Sequence, residues 1–427
     1  MKLLRWMVLL GLAVSWSSHA EQLWIRAGKV IDVERGRVLN DQMIRVDGER
    51  IVAIGDYKAD ANAGGQWLDW SRYTVLPGLM DMHTHLADFE SSAEIAAPLY
   101  TSQADAALQG VDNARRTLRA GFTTVRDVGC YRAFTDVSLR NAINRGIVEG
   151  PRMFVVGAYV TVSGGGGEVT GFAPDVVVPA DMRRGVANSE LEIRQRVREL
   201  IAGGATFIKV IATGAVLAAG TTPGAAEYSE SEIRAAVEEA AQYGVFVAAH
   251  AHGAEGIKRA VRAGVRSIEH ASYLDDEGIA LMKKHGTWLV ADIYNGDYIA
   301  EVGRRDHWSE EILRKNDETT QTQRDGFAKA VKAGVRIAYG TDSGVYPHGD
   351  NAKQFAYMVR YGLTPMDAIR ASTLSSAQLL AKEKDLGSIA TGKFADLIAV
   401  DGDPLQDIDK LRQVRGVVKA GRQIRLD

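Results

Sequence analysis

Two histidines one residue apart, His83 and His85, close the apolar run LPGLMDMHTHL at residues 76–86. Side chains alternate along a strand, so both point the same way. A second pair, His250 and His252, ends VAAHAHG. Lys209 lies in FIKVIATG, His270 ends SIEHAS and Asp342 ends IAYGTDSG. Neutral imidazole and carboxylate are good ligands for zinc and similar divalent ions. A pair at i, i+2 can grip one ion, while His250 and His270 reach the same ion or a second one. Taken singly, each feature has a plain structural role open to it. An HxH pair can be packing, His252 can cap its strand, Lys209 can extend to the rim, and Asp342 can cap a turn. Together these roles need five strands to carry isolated polar residues by chance, so a metal site is the better account.

The elements that must position these residues form a repeated phrase, a helix ending in glycine followed by an apolar strand. LRAGFTTVRDVG, IAGGATFIKVIATG, AQYGVFVAAHAHG, VRAGVRSIEHAS, KKHGTWLVADIYN and VKAGVRIAYGTDSG all fit it. Nearly continuous apolar strands are expected when both faces of a sheet are covered. Ser189 with Glu192 and Ser229 with Glu232 read as capping boxes opening two of the helices. With VLPGLMDMHTHL and PRMFVVGAYVTV the series holds eight strand candidates, the count of a (β/α)8 TIM barrel. The barrel is expected over 78–386, with the polar strand ends converging on its catalytic face. An open doubly wound sheet is the rival, but no glycine-rich dinucleotide fingerprint follows the first strand. Short β-like segments occupy both ends, with a hairpin signal at Asp47-Gly48. They predict a small composite β-sandwich domain built from 21–77 and 387–427.

The chain has 427 residues, 46% hydrophobic and 25% charged, with net charge −3. It has neither the basic block of a nucleic-acid binder nor an acidic tail. Lys2 and Arg5, an apolar core from Trp6 to Trp16 and Ser18-His19-Ala20 read as a secretory signal peptide over 1–20. That core is shorter than the ~20 residues a membrane span needs. Export to the periplasm or beyond is expected, with no membrane partner after cleavage. Cys130 is the sole cysteine, which excludes an internal disulfide and a cysteine-based zinc site. A small buried apolar role suits it best.

The sequence resembles the amidohydrolase superfamily over almost all of its mature length. PGLMDMHTH, Lys209, His250, His270, the GTD ending at Asp342 and GSIATGKFADLIAV carry the resemblance. Within the superfamily it is most similar to the imidazolonepropionase-related branch. That branch includes metal-dependent Xaa-Pro dipeptidases, Xaa-Lys/Arg carboxypeptidases and N-acyl amino acid hydrolases, the ochratoxin-type amide among their substrates. The resemblance implies two divalent ions, most often zinc. His83, His85 and Asp342 would hold the more buried ion, and His250 and His270 the other. Carboxylated Lys209 and hydroxide would bridge the pair. It implies that Asp342 is general base and then acid in hydrolysis of an amide bearing a free carboxylate.

One departure concerns the substrate end. Related carboxypeptidases carry Gly-Gly-His after strand three, whereas this chain reads SGGGGEVTG with Gly166 at the histidine's place. Glu168 is a candidate replacement, and the glycine run reads as a loop over the pocket. Tyr228 and His252 are candidates for the substrate carboxylate, His252 also for the developing oxyanion. Tyr294 is a candidate for the leaving-group pocket. Arg304 and Arg305 follow it in an insertion-like stretch that reads equally as solvated surface. Cyclic-amide hydrolysis or deamination is the alternative chemistry, and a non-enzymatic binding homologue a third reading. Deaminases usually lack the bridging lysine, and a binding homologue predicts lost ligands. The partner expected is a small molecule or dipeptide; a homo-oligomer is compatible with the sequence.

Overall fold

Two groups of strands, one from both ends of the sequence and one central, divide the labour in this chain. The structure, a computed structural model, describes residues 22–59, 65–88 and 96–426. The expected signal peptide, 1–20, lies outside the described residues.

The strands of the first group come from both ends of the sequence. β1 (Gln22–Asp32), β2 (Arg37–Asp47), β3 (Arg50–Asp56) and β4 (Gln66–Pro77) precede the central region. β14 (Leu397–Val400), β15 (Val414–Lys419) and β16 (Arg422–Ile424) follow it. All seven join one sheet in the order β16-β15-β14-β4-β1-β2-β3. β4 lies parallel to β1 and antiparallel to β14, where Pro77 faces Leu397 and Thr74 faces Val400. The β2–β3 hairpin turns at Gly48, whose φ of 56° is the left-handed conformation that such a tight turn asks for. Ile25, Ile44, Trp70 and Leu397 pack this sheet's own core.

The strands of the second group are parallel and central. They are β5 (Leu79–Thr84), β6 (Phe122–Asp127), β7 (Arg152–Val155), β8 (Tyr159–Val160), β9 (Ile208–Ile211), β10 (Val247–Ala251), β11 (Ser267–His270), β12 (Trp288–Ala291) and β13 (Arg336–Tyr339). β5-β6-β7 form one sheet and β8 to β13 another, each in chain order. The third expected strand is split. Asp136 accepts the amides of Val156 and Gly157 at 3.1 and 2.8 Å, taking them out of the ladder between β7 and β8. At the other end, Asp342 N donates to His83 O at 2.8 Å and His85 N to Ser343 O at 2.9 Å. These bonds tie the end of β5 to the segment after β13.

Helices alternate with these strands. Ser229 and Glu232 complete a reciprocal capping box, as the sequence predicts. At Ser189 the box is half made, because Glu192 reaches back to the Asn188 amide instead. Among the described residues, no helix is long and apolar enough to cross a membrane.

Candidate active site

The five strands singled out by their polar residues bring them into one cavity. His83, His85, Lys209, His250, His252, His270 and Asp342 all line it. His83 Nε2 and His85 Nε2 stand 3.3 and 3.1 Å from Asp342 Oδ1, so the i, i+2 pair does point one way. The His270 ring centre lies 4.7 Å from His83, 4.6 Å from His250 and 4.8 Å from His252. Three overlapping sets offer ligand atoms within 4.8 Å of one another: His83, His85 and Asp342; His250, His252 and His270; and His270, Asp292 and Asp342.

The imidazoles are oriented by what holds their outer nitrogens. His83 Nδ1 lies 3.0 Å from Glu269 Oε2, and His270 Nδ1 lies 3.0 Å from Asp292 Oδ1. His85 Nδ1 faces the Gly129 carbonyl at 2.8 Å, and His252 Nδ1 faces Ser272 Oγ at 2.7 Å. In His250 the roles are exchanged, with Nε2 at 3.2 Å from the Gly214 carbonyl. Carboxylate or carbonyl on the far nitrogen fixes the tautomer and strengthens the near nitrogen as a ligand. Burial, then neighbouring His270, pushes His250 well down and His252 to about 3, so both rings are neutral and ready to ligate. Burial alone would raise Asp342, but His83 and His85 outweigh it and hold the carboxylate well below its usual range. Desolvation lowers buried Lys209 to about 8, against the pull of Glu269. The donor set therefore fits divalent cations: His250 and His252 neutral, Asp342 ionised, and the rings' outer nitrogens already held.

Two ligand positions carry strained backbone. His270 and Asp342 have φ of 66° and 58°, left-handed values that cost a non-glycine residue about 1 kcal/mol each. Such strain persists only where the surroundings impose it.

A supporting layer, which the sequence did not reveal, lies beneath the ligands. Glu269, below His83, is paired with Arg126 at 2.7 Å, and both are fully buried. Arg126 also donates to Met82 O at 2.6 Å and Ser267 Oγ at 2.9 Å. Asn295 bridges Asp342 Oδ2 at 3.0 Å and Asp292 Oδ2 at 3.1 Å, while Gln323 reaches Asp292 Oδ1 at 2.8 Å. Asp81 accepts from His83 N and Thr341 Oγ1 at 3.1 and 2.6 Å. Signals existed: Glu269 adjoins His270, and Asp292 follows strand seven in WLVAD as Asp342 does strand eight.

The structure separates the substrate-end candidates, with His252 on the cavity and two tyrosines away from it. Tyr228 does not face the cavity. It is 1% exposed in the main core, and its hydroxyl donates to Ala187 O at 2.7 Å. Tyr294 is also absent from the lining. Its ring packs edge-on against Tyr346 and Tyr357, with centroids 5.0 and 5.3 Å away, because the helix Asn295–Arg305 turns inward only from Asn295. Glu168 is occupied within its own loop, accepting from Gly164 N at 2.6 Å and pairing with Arg183 at 2.7 Å. Gly166 does line the cavity. A Cβ there would stand 3.1 Å from Thr213 O, and its amide donates to Glu227 at 3.0 Å. Arg304 and Arg305 pair with Asp317 and Asp306 at the surface. Cys130 is a buried free thiol.

Comparison with known proteins agrees with this geometry. The amidohydrolase family model matches residues 74–424. Ochratoxinase of Aspergillus niger is 29% identical, over 95% of this chain and 86% of its own. A crystal structure of an Xaa-Pro dipeptidase with methionine bound in its active site superposes with a TM-score of 0.88 at 40% identity, covering 94% of this chain and 99% of the other. A prolidase complexed with N-methylphosphonate-L-proline gives a TM-score of 0.86 at 32% identity, covering 94% and 99%. With histidine and aspartate clusters able to hold metal in a mixed α/β fold of this kind, the chain belongs to the amidohydrolase family and is a hydrolase of C–N bonds.

Proposed function

We propose that this protein is a binuclear metal-dependent hydrolase of dipeptides or N-acyl amino acids that carry a free carboxylate. The observation that carries the reading is the paired histidine set converging on Asp342, each ring with its outer nitrogen held. The two parallel sheets, tied at the end of β5, are read as one closed (β/α)8 barrel spanning 78–386. The seven-stranded sheet belongs to a composite β domain of 21–77 and 387–427. Residues 1–20 are read as an export signal.

His83, His85 and Asp342 would hold one ion, and His250 and His270 the other. Lys209 would join them. An ammonium cannot ligate a cation, but the buried amine, lowered to about 8, is partly neutral near physiological pH and can add CO2 to become a bridging carbamate. Bound there, two divalent ions, zinc by the chemistry of the ligands, would acidify a water and polarise the amide carbonyl. The residues supply the rest. Asp342 accepts the proton of the attacking water and delivers it to the leaving amine. Asn295 fixes Oδ2 of Asp342 during both transfers. His252, with Nδ1 committed to Ser272, leaves Nε2 to meet the developing oxyanion or the substrate carboxylate. The names of relatives support this reading: an Xaa-Pro dipeptidase, a prolidase and an ochratoxinase.

The test pairs metal analysis with a substrate comparison. Fully active enzyme should contain two ions per chain, and at most one would overturn the binuclear reading. Esterifying the carboxylate of a cleaved N-acyl amino acid should raise KM sharply. Equal cleavage of acid and ester would remove the carboxylate requirement.

A further inference from the structure

Among the described residues, the charged side chains that line the cavity are Asp88, Lys209, Asp292 and Asp342. The last three belong to the ligand cluster, and Asp88 lies toward β6, where it accepts the Tyr131 amide at 3.1 Å. Part of the wall beside Asp342 is apolar. Ile299 lies one turn beyond Asn295 on the same helix face, and Asn295 touches Asp342 Oδ2. Val345 donates its amide to the Asp342 carbonyl at 3.1 Å. Ile299 and Val345 are each 4% exposed and share one apolar cluster with half-buried Leu217; all three line the cavity. Behind this wall Glu311 is already paired with Lys315 at 2.5 Å, and Lys315 also donates to Ala218 O at 2.8 Å.

We propose that Leu217, Ile299 and Val345 receive an uncharged, apolar side chain on the amine-side residue of the substrate. Leucine, methionine or phenylalanine fits this wall; lysine, arginine, aspartate and glutamate do not. The inference rests on the function proposed above, in which Asp342 hands a proton to the leaving amine. The residue bearing that amine then lies beside the groups that flank Asp342. A charged head placed there would lose its water against apolar side chains, with no opposite charge on Leu217, Ile299 or Val345 to meet it. Val345 and Ile299 thus take the leaving-group role for which Tyr294 was the sequence candidate.

The test uses full-length, metal-loaded protein and N-acetyl derivatives of leucine, methionine, phenylalanine, lysine, arginine and aspartate. The three apolar acids should exceed the three charged ones at least tenfold in kcat/KM; charged substrates cleaved as well would overturn the proposal. Leu217→Asp, at a half-buried site that tolerates charge, should narrow the leucine-to-lysine ratio at least tenfold. An unchanged ratio in both Leu217→Asp and Ile299→Ala would also overturn it. If none of these acids is cleaved, the carboxylate-amide reading fails by itself. The wall is then judged by melting temperature: free leucine, methionine and phenylalanine should raise it, and lysine and arginine should not. Equal shifts would sink the proposal.

Discussion

The inner end of the cavity and its outer rim are built on opposite principles. At the inner end, candidate ligands sit on or just past parallel strands, and the histidines and Asp342 are each held by a further group. Glu269, itself locked by Arg126, holds His83; Asp292, locked by Gln323 and Asn295, holds His270. At the rim the chain is loop. The glycine run at 164–167 has no side chains of its own to hold it, and borrows the Glu227 and Glu168 carboxylates. Chemistry that needs atoms fixed within fractions of an ångström is thus placed on strands, while substrate fit is left to segments that can vary.

The hardest test of the contrast is at the inner end. Asp342→Asn keeps the size of the side chain but removes the proposed proton carrier, and kcat should fall by ~10^3-fold or more. Lys209→Arg should be almost as damaging if the proposed carbamate bridges there, since a guanidinium cannot form one. Near-normal turnover in Lys209→Arg would break the assignment of that lysine. Steady-state assays with matched metal analysis separate lost chemistry from lost metal.

Glu269→Gln tests the supporting layer. It leaves Arg126 buried without its counter-charge, and removing one partner of a buried pair costs about 3–5 kcal/mol. Denaturant titration should show that loss, with weaker metal retention because His83 loses its orienting carboxylate. A stability change below about 1 kcal/mol would mean that the layer is not rigid.

The rim should yield more gently. Glu227→Ala frees the Gly166 amide and should raise KM severalfold with kcat less affected, and Glu227→Gln, which keeps an acceptor oxygen, should restore most of it. The pH dependence has a definite sign. Burial lifts Glu227 to about 7, the Gly166 amide opposing it, so the folded protein holds this proton more tightly than the unfolded chain. Its stabilising contribution is complete below about 4.5 and disappears as pH rises through 7. The melting temperature of Glu227→Gln should therefore gain on wild type between pH 4.5 and 8. A constant difference across that window would show that the carboxylate is not desolvated.

The smallest effect is expected at Tyr228→Phe. Loss of the hydroxyl's bond to Ala187 should cost about 1 kcal/mol and leave KM for acid substrates unchanged. A rise in KM confined to the acid, absent with the ester, would return Tyr228 to the substrate site.

The same division governs what can be read from the sequence. His83, His85, His250, His270 and Asp342 stand out because a polar residue closing an apolar strand is costly to bury unless it has a partner, and strand alternation gives its direction. Glu269 and Arg126 were not legible, although both lie on strands. A charged residue inside a buried strand shows its purpose only when its partner is known, and these two are 143 residues apart. Tyr228 misled because a tyrosine before a helix faces cavity or core according to the angle of the preceding loop, which periodicity does not encode. The third strand was found but not its break, since the amides of Val156 and Gly157 are taken by a carboxylate on the helix Thr135–Asn144.

The pairing of β4 with β14 also constrains how the molecule is made. Pro77 and Leu397 face each other across the sheet. Emerging from the ribosome, β4 has its β1 side available early, but its other edge stays open until the last strands arrive. Closing so long a loop is entropically costly, and contacts of this range slow folding. The chain therefore spends its synthesis with an unsatisfied strand edge, a template for self-association. A product that terminates before Leu397 would keep that edge for good. Closure of that edge falls to β14, which follows every candidate ligand in the sequence.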